Sequence, residues 1–461
     1  MQCEYLSDSV TTPAMASKLH LETALMPDGW RQDVVVGIDH GVITSVEEPG
    51  DGTAERVSGI ALPGLPNLHS HAFQRAMAGL TERRRGNEAD SFWTWREAMY
   101  HFVDRLGPDD LEAIAAFAYM EMLEAGFTQV AEFHYLHHQP DGRPYDTPNE
   151  MSQRIVAAAE AAGIGLTLLP VLYRQGGFLG KPATPAQRRF LCDRDAYARL
   201  METEVPGGAT GIAPHSLRAV TLGDLGWAAR TWPDRPAHIH VAEQEREVAD
   251  CLAAHNRRPV DLLLDTIGSD AGRWCLVHAT HADAAELGRM AEASAVAGLC
   301  PITEANLGDG LFDVPAFLAR GGRLGVGSDS LIRISAADEL RTLEYGQRLM
   351  HRQRNVLAEP ARSTGRRLFE AALAGGARAT GEERLGGIAN GKRADLVVLD
   401  QHHPSLVAAR DDSLLDGWLF AADNAAIKSV YRRGRVVVRD GRHIARDAIA
   451  RRYAKTVAAL A

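Results

Sequence analysis

Short apolar runs and longer amphipathic stretches alternate along most of the chain. Near its start the runs are brief and strand-like, in Asp33–Asp39 and Gly41–Val46, with Gly, Asp and Pro between them. The same texture returns in Ala394–Asp400, Ile427–Tyr431 and Arg435–Gly441, and an amphipathic helical pattern runs from about Ala445 to Leu460. These segments predict a small β-sandwich domain made from both chain ends, residues 18–60 with 385–445, and a C-terminal helix over 446–461. Residues 1–17 carry neither pattern and read as a disordered leader, within which Met15 is an alternative start.

Residues 61–384 alternate apolar strands with helical stretches such as Asp109–Ala125 and Met151–Ala162. The strands end near His71, His134, Tyr173, His215, Glu243, His278, Cys300 and Asp329. Eight βα units predict an α/β fold, a (β/α)8 TIM-like barrel. The competing architecture is an open doubly wound sheet, but no GxGxxG follows the first strand.

Composition narrows the function classes. Hydrophobic residues make up 45% of the 461, enough for a large core, and no apolar run is long enough to predict a membrane span. The formal charge is −10, and the basic residues form no stripe of the kind nucleic acid requires. A small anionic ligand needs a local cluster of arginines, of which there are 45 against only five lysines. The five cysteines are scattered and contain no CxxC, which argues against disulfides and cysteine metal sites and fits a reducing cytoplasm.

The candidate chemistry gathers where barrel enzymes keep theirs, at the C-terminal strand ends. The first strand closes on Asn67-Leu-His69-Ser-His71, where side chains two apart face the same way. HxH recurs in His238-Ile-His240, so the motif alone is weak. The order of ends is more specific: two His on strand one, His240 on five, His278 on six and Asp329 on eight. Three neutral imidazoles and a carboxylate make a nitrogen and oxygen donor set for a divalent ion with room for a water.

On these residues the chain resembles the amidohydrolase superfamily, in its mononuclear deaminase branch. Segments spread from first strand to last are similar to those of the formimidoylglutamate deiminases: Gly64–Arg75, Phe92–Arg96, Ala131–His138, Ala213–Arg218, His240–Gln244, Val277–His281 and Thr303–Gly310. The run Leu331–Ile334 departs from the pattern. Binuclear relatives bridge two metals with a carboxylated lysine at strand four, and no lysine lies between Lys181 and Lys392.

The resemblance implies one divalent ion per subunit, Zn2+ as the expectation, held by His69, His71, His240 and Asp329. It implies Glu243 as proton shuttle, Asp329 as a group that also orients the water, and His278 as a catalytic hydrogen-bonding group. It marks Arg96 and Arg218 as partners for the carboxylates of N-formimidoyl-L-glutamate, with Gln74, Tyr135 and His215 as neutral partners, and it implies a homodimer. Arginine suits that role because it grips a carboxylate with two N–H groups.

Other polar residues have plainer readings. His134, His137 and His138 read equally as supports of the site or as hydrogen-bonded strand ends, and Trp93 and Trp95 as packing of a long loop. Glu304 and Asn306 carry no assigned role, Cys300 reads as a buried inert thiol, and Arg83–Arg85 as a solvated loop face. The alternatives are a deaminase of a heterocyclic base or nucleoside and, from another class, a barrel that has lost catalysis and serves in assembly.

Overall fold

The computed structural model describes residues 17–50, 53–83 and 90–460. Residues 1–16 of the expected leader, Met15 among them, and Arg84 and Arg85 of the arginine run lie outside the described residues, while Ser17, the leader's expected last residue, opens the first strand. The first four strands are β1 (Ser17–Met26), β2 (Gly29–Asp39), β3 (Val42–Glu47) and β4 (Glu55–Pro63). The barrel strands are β5 (Leu65–Ser70), β6 (Phe127–His134), β7 (Gly165–Leu172), β8 (Ala209–Thr210), β9 (Ala213–Pro214), β10 (Ala237–Val241), β11 (Trp274–His278), β12 (Val296–Leu299) and β13 (Arg323–Val326). The chain ends with β14 (Leu396–Leu399), β15 (Ile427–Arg432), β16 (Arg435–Arg439) and β17 (Arg442–His443).

Strands β5 to β13 form an α/β barrel. Parallel pairs run β5-β6-β7-β8 and β10-β11-β12-β13, with β9 beside β7. Parallel bridges Ile212↔Ala237 and Ser216↔His240 join β8 and β9 to β10, and Ser70↔Asp329 joins the last strand to the first. Every residue of β5, β6 and β7 is buried, as in parallel strands covered by side chains within and helices without. The fourth strand, expected as one run to His215, is two short pieces. Between them Ile212 turns its N–H to Pro236 O, and a Cβ on Gly211 would lie 2.6 Å from the same carbonyl.

The other strands form one eight-stranded sheet, β17-β16-β15-β14-β4-β1-β2-β3. Its two layers belong to a single curled sheet: Ala394 N–H donates to Gly41 O, and the β15–β16 turn at Gly434 packs on Ile38. The curl encloses its own core, including Leu21, Val36, Ile43, Leu396 and Val398. A buried ion cluster ties this sheet to the base of the barrel. Arg393 and Arg432 share Asp395, and Arg393 Nη1 reaches Gln129 Oε1 of β6 at 3.1 Å. Removing one partner from such a cluster costs about 3–5 kcal/mol, because a charge is left buried. The helix Arg446–Leu460 lies on the helix Pro108–Glu124, with Phe117 and Tyr453 stacked at 4.0 Å.

Candidate active site

His69, His71 and His240 converge at the C-terminal mouth of the barrel. Nε2 of His69 lies 3.2 Å from that of His71 and 3.0 Å from that of His240. The backbone sets which nitrogen faces inward. His71 Nδ1–H donates to Phe133 O at 2.9 Å and His240 Nδ1–H to His215 O at 3.0 Å, leaving both Nε2 lone pairs aimed at one point. Burial pushes the pKa of His71 down to about 3 against its backbone bond. Burial, followed by the neighbouring imidazoles, lowers His69 and His240 too. Three buried, neutral rings with converging lone pairs form a divalent-cation donor set.

Carboxylates and a fourth imidazole face the triad. Asp329 Oδ1 is 3.3 Å from His71 Nε2 and 3.6 Å from His69 Nε2, while its Oδ2 is 3.8 Å from His278 Nε2. Burial raises the Asp329 carboxyl to about 7. His278 Nε2 also lies 3.8 Å from Glu243 Oε1, and its Nδ1 bonds Glu304 Oε1 at 3.1 Å. Burial works against a charged His278, but the Glu304 bond and the surrounding carboxylates outweigh it and raise its pKa to about 10.

The strand ends reach these positions through uncommon backbone. Ala242, His278 and Asp329 have φ of 51°, 65° and 43°, a left-handed conformation that costs a non-glycine residue about 1–3 kcal/mol and gathers at functional sites. Asn67 braces the seam: its Nδ2 donates to Ser328 Oγ at 2.6 Å, and its Oδ1 accepts Ser328 N–H at 3.0 Å. Glu132, raised to about 8 by burial, accepts the Ala72 N–H at 2.7 Å and steadies the chain just past His71.

Above this centre lies a cavity whose lining includes Gln74, Arg96, Tyr135, His215 and Arg218 beside the groups already described. Every site residue expected from the sequence therefore lies in the cavity or in the triad beneath it. Gln74 Nε2 donates to Tyr135 Oη at 3.0 Å, and its buried Oε1 has no partner. Arg218 Nη2 is 3.6 Å from Glu243 Oε2. Trp93 gathers three guanidiniums, with Arg96, Arg246 and Arg218 at 4.6, 4.9 and 6.0 Å from its ring centre. Trp95 lines the cavity.

Other histidines point elsewhere. His137 and His138 bond Val171 O and Leu191 O, and His238, deeper in the barrel, bonds Ala379 O. Neither ring nitrogen of buried His134 has a partner. Cys300 is buried, and burial raises its thiol far above the usual range. Asn306 bonds Glu82. Sequence reasoning missed Glu247, Arg246, Glu132 and the anchoring of His278 by Glu304. The one available signal was Glu247, a carboxylate four residues after Glu243.

Comparison with known proteins agrees with this geometry. Residues 60–437 match the amidohydrolase family. A formimidoylglutamate deiminase of Pseudomonas aeruginosa is 52% identical over 96% of this chain and 99% of its own. A 5-methylthioadenosine/S-adenosylhomocysteine deaminase of Haloarcula marismortui is 26% identical over 89% of each chain. The crystal structure of an amidohydrolase from Brucella melitensis superposes with a TM-score of 0.91 at 50% identity, covering 96% of this chain and 99% of that one. An adenosine deaminase from Xanthomonas campestris with bound zinc shares the fold, with a TM-score of 0.79 at 21% identity over 97% and 99% of the chains.

Proposed function

The chain belongs to the amidohydrolase family, and from that premise we propose that it hydrolyses N-formimidoyl-L-glutamate to N-formyl-L-glutamate and ammonia, a step of histidine degradation. The observation that carries this reading is the stacking of two devices along one cavity: a converging histidine triad facing Asp329, His278 and Glu243, and Arg96 and Arg218 above it. The 52% identical relative named for the same activity supports it.

The enzyme is a metal-dependent hydrolase acting on a C–N bond. His69, His71, His240 and Asp329 would hold the ion, and their lone pairs and carboxylate fit a hard or borderline divalent cation. When bound, such an ion makes a water acidic enough to act as nucleophile near neutral pH. We assign Zn2+, which His and Asp ligands suit and which one structural relative binds.

The chain's own groups do the rest. Asp329 orients the water toward the amidine carbon. Glu243 takes the attacking water's first proton to the imino nitrogen and then carries the second, from the hydroxyl now on that carbon, to the same nitrogen, so that the C–N bond breaks with ammonia as the leaving group and the carbonyl of a formamide remains. His278, held by Glu304, donates a hydrogen bond to the oxygen that gains charge. Arg218 and Arg96 bind the two substrate carboxylates, with Gln74, Tyr135 and His215 supplying neutral hydrogen bonds. The protein works as a cytoplasmic homodimer.

Ammonia release from N-formimidoyl-L-glutamate, measured beside a panel of purines and pyrimidines, tests the reading. Turnover confined to the amidine is expected. Hydrolysis of a purine with none of the formimidoyl substrate would establish a heterocycle deaminase instead.

A further inference from the structure

The helix Glu245–His255 starts directly beyond the strand-five motif, and its third residue, Glu247, is fully buried. Glu247 Oε2 accepts the backbone N–H of Glu243 at 3.3 Å and lies 3.8 Å from Arg218 Nε. Its Oε1 has no hydrogen-bond partner, and neither does Arg218 Nε. On its other side Arg218 Nη2 stands 3.6 Å from Glu243 Oε2. Close charge-assisted bonds of this type measure about 2.7–2.9 Å. One arginine thus stands between two carboxylates and closes on neither.

A carboxylate at the third position of a helix commonly bonds back to the turn before it, and Gln serves that purpose as well as Glu. A neutral amide would accept the same Glu243 N–H without the cost of burying a charge. The buried charge at position 247 therefore calls for a reason beyond that backbone bond, and the reason stands beside it in Arg218. A buried guanidinium with a single carboxylate neighbour collapses onto that neighbour, which here would be Glu243.

We propose that Glu247 is a positioning residue that holds Arg218 away from Glu243, leaving the Glu243 carboxylate free to move protons and the outer N–H groups of Arg218 free for a substrate carboxylate. The inference rests on the roles given above to Glu243 and Arg218. The backbone bond serves the same end, since it fixes Glu243 directly after the left-handed turn at Ala242, whose φ is 51°. One side chain thereby sets the place of the proton carrier through its main chain and the place of the anion clamp through its charge.

The test is Glu247→Gln, which keeps an acceptor for the Glu243 N–H and removes the charge, made in the wild-type enzyme and in an Arg218→Ala background. In the wild-type background kcat should fall tenfold or more with metal content unchanged. In the Arg218→Ala background the same change should alter kcat less than threefold, because no guanidinium remains to collapse. Unchanged kcat in the first background, or an equal loss in both, would overturn the proposal. If E247Q does not accumulate as folded protein, E247M, similar in length and uncharged, is compared across the same two backgrounds, and a loss that is larger with Arg218 present is expected. Wild-type enzyme assayed alongside separates the two failures. No wild-type turnover of N-formimidoyl-L-glutamate refutes the substrate assignment, and the coupling is then read on whichever panel compound the wild type hydrolyses.

Discussion

Nε2 of His69 and Nε2 of His240 lie 3.0 Å apart although 171 residues separate them in the chain. His240 has its Nδ1–H committed to a carbonyl, so its inner nitrogen carries a lone pair. Two nitrogens held this close among buried rings call for a cation between them and the third ring. Removing the metal with a chelator should abolish turnover and lower the thermal midpoint, and reloading should restore both. A ligand present at a thousand times its Kd contributes about 4 kcal/mol to stability. His240→Ala should reduce bound metal, measured by elemental analysis, from one ion per subunit to nearly none.

Glu243 reaches the site from beyond the strand end and touches none of the three triad nitrogens within salt-bridge distance. Glu243→Gln should therefore keep its metal and lose activity by about 10²–10⁴-fold, the usual worth of a positioned proton-transfer group. Metal loss in that variant, read by the same elemental analysis, would make Glu243 a ligand.

Arg218 is nearly buried, and Arg96 leans on Trp93 at the cavity rim. Arg218→Ala should lower kcat/KM on the order of 10–1000-fold in steady-state assays, and Arg96→Ala should act mainly on KM. Arg218→Lys should recover little, since an ammonium cannot offer the same pair of N–H groups. Unchanged kinetics in Arg218→Ala would remove that residue from the substrate site.

Stability should fall on mild acidification for reasons outside the active site. Burial, against a bond to Val171 O, lowers His137 to about 3; burial, against a bond to Ala379 O, lowers His238 to about 4. The unfolded chain takes up these protons near pH 6.5 and the folded protein does not. Their contribution is complete above pH 6.5 and declines as pH falls toward 4 and 3. At pH 5 each has lost about 2 kcal/mol. Urea unfolding at pH 7.5, 6 and 5 checks this, and His137→Gln should flatten the pH slope by one proton.

Most of the site was legible because parallel strands announce themselves by polar residues at their ends. His69, His71, His240, His278 and Asp329 each stand where an apolar run stops. Glu247 was not, because a glutamate at the third position of a helix looks the same whether it caps the helix or braces an arginine. Glu304 was named without a role because its use depends on His278, brought near only when β11 and β12 pair. The break in strand four was hidden because Gly211 is shaped by Pro236, a residue of the next unit. In the curled sheet five strands showed as short apolar runs, but β1, β4 and β17 did not stand out, and the joining of all eight in one ladder follows from long-range pairing.

That pairing sets a schedule for synthesis. Leu396–Leu399 of β14 lies against Ile60–Pro63 of β4, at the middle of the sheet. A ribosome delivers the whole barrel before it delivers the partner that β4 requires, so the edge of β4 stays open through most of translation. A strand made late thus clasps one made early, and a message truncated before β14 would yield a chain with an exposed strand edge prone to aggregate.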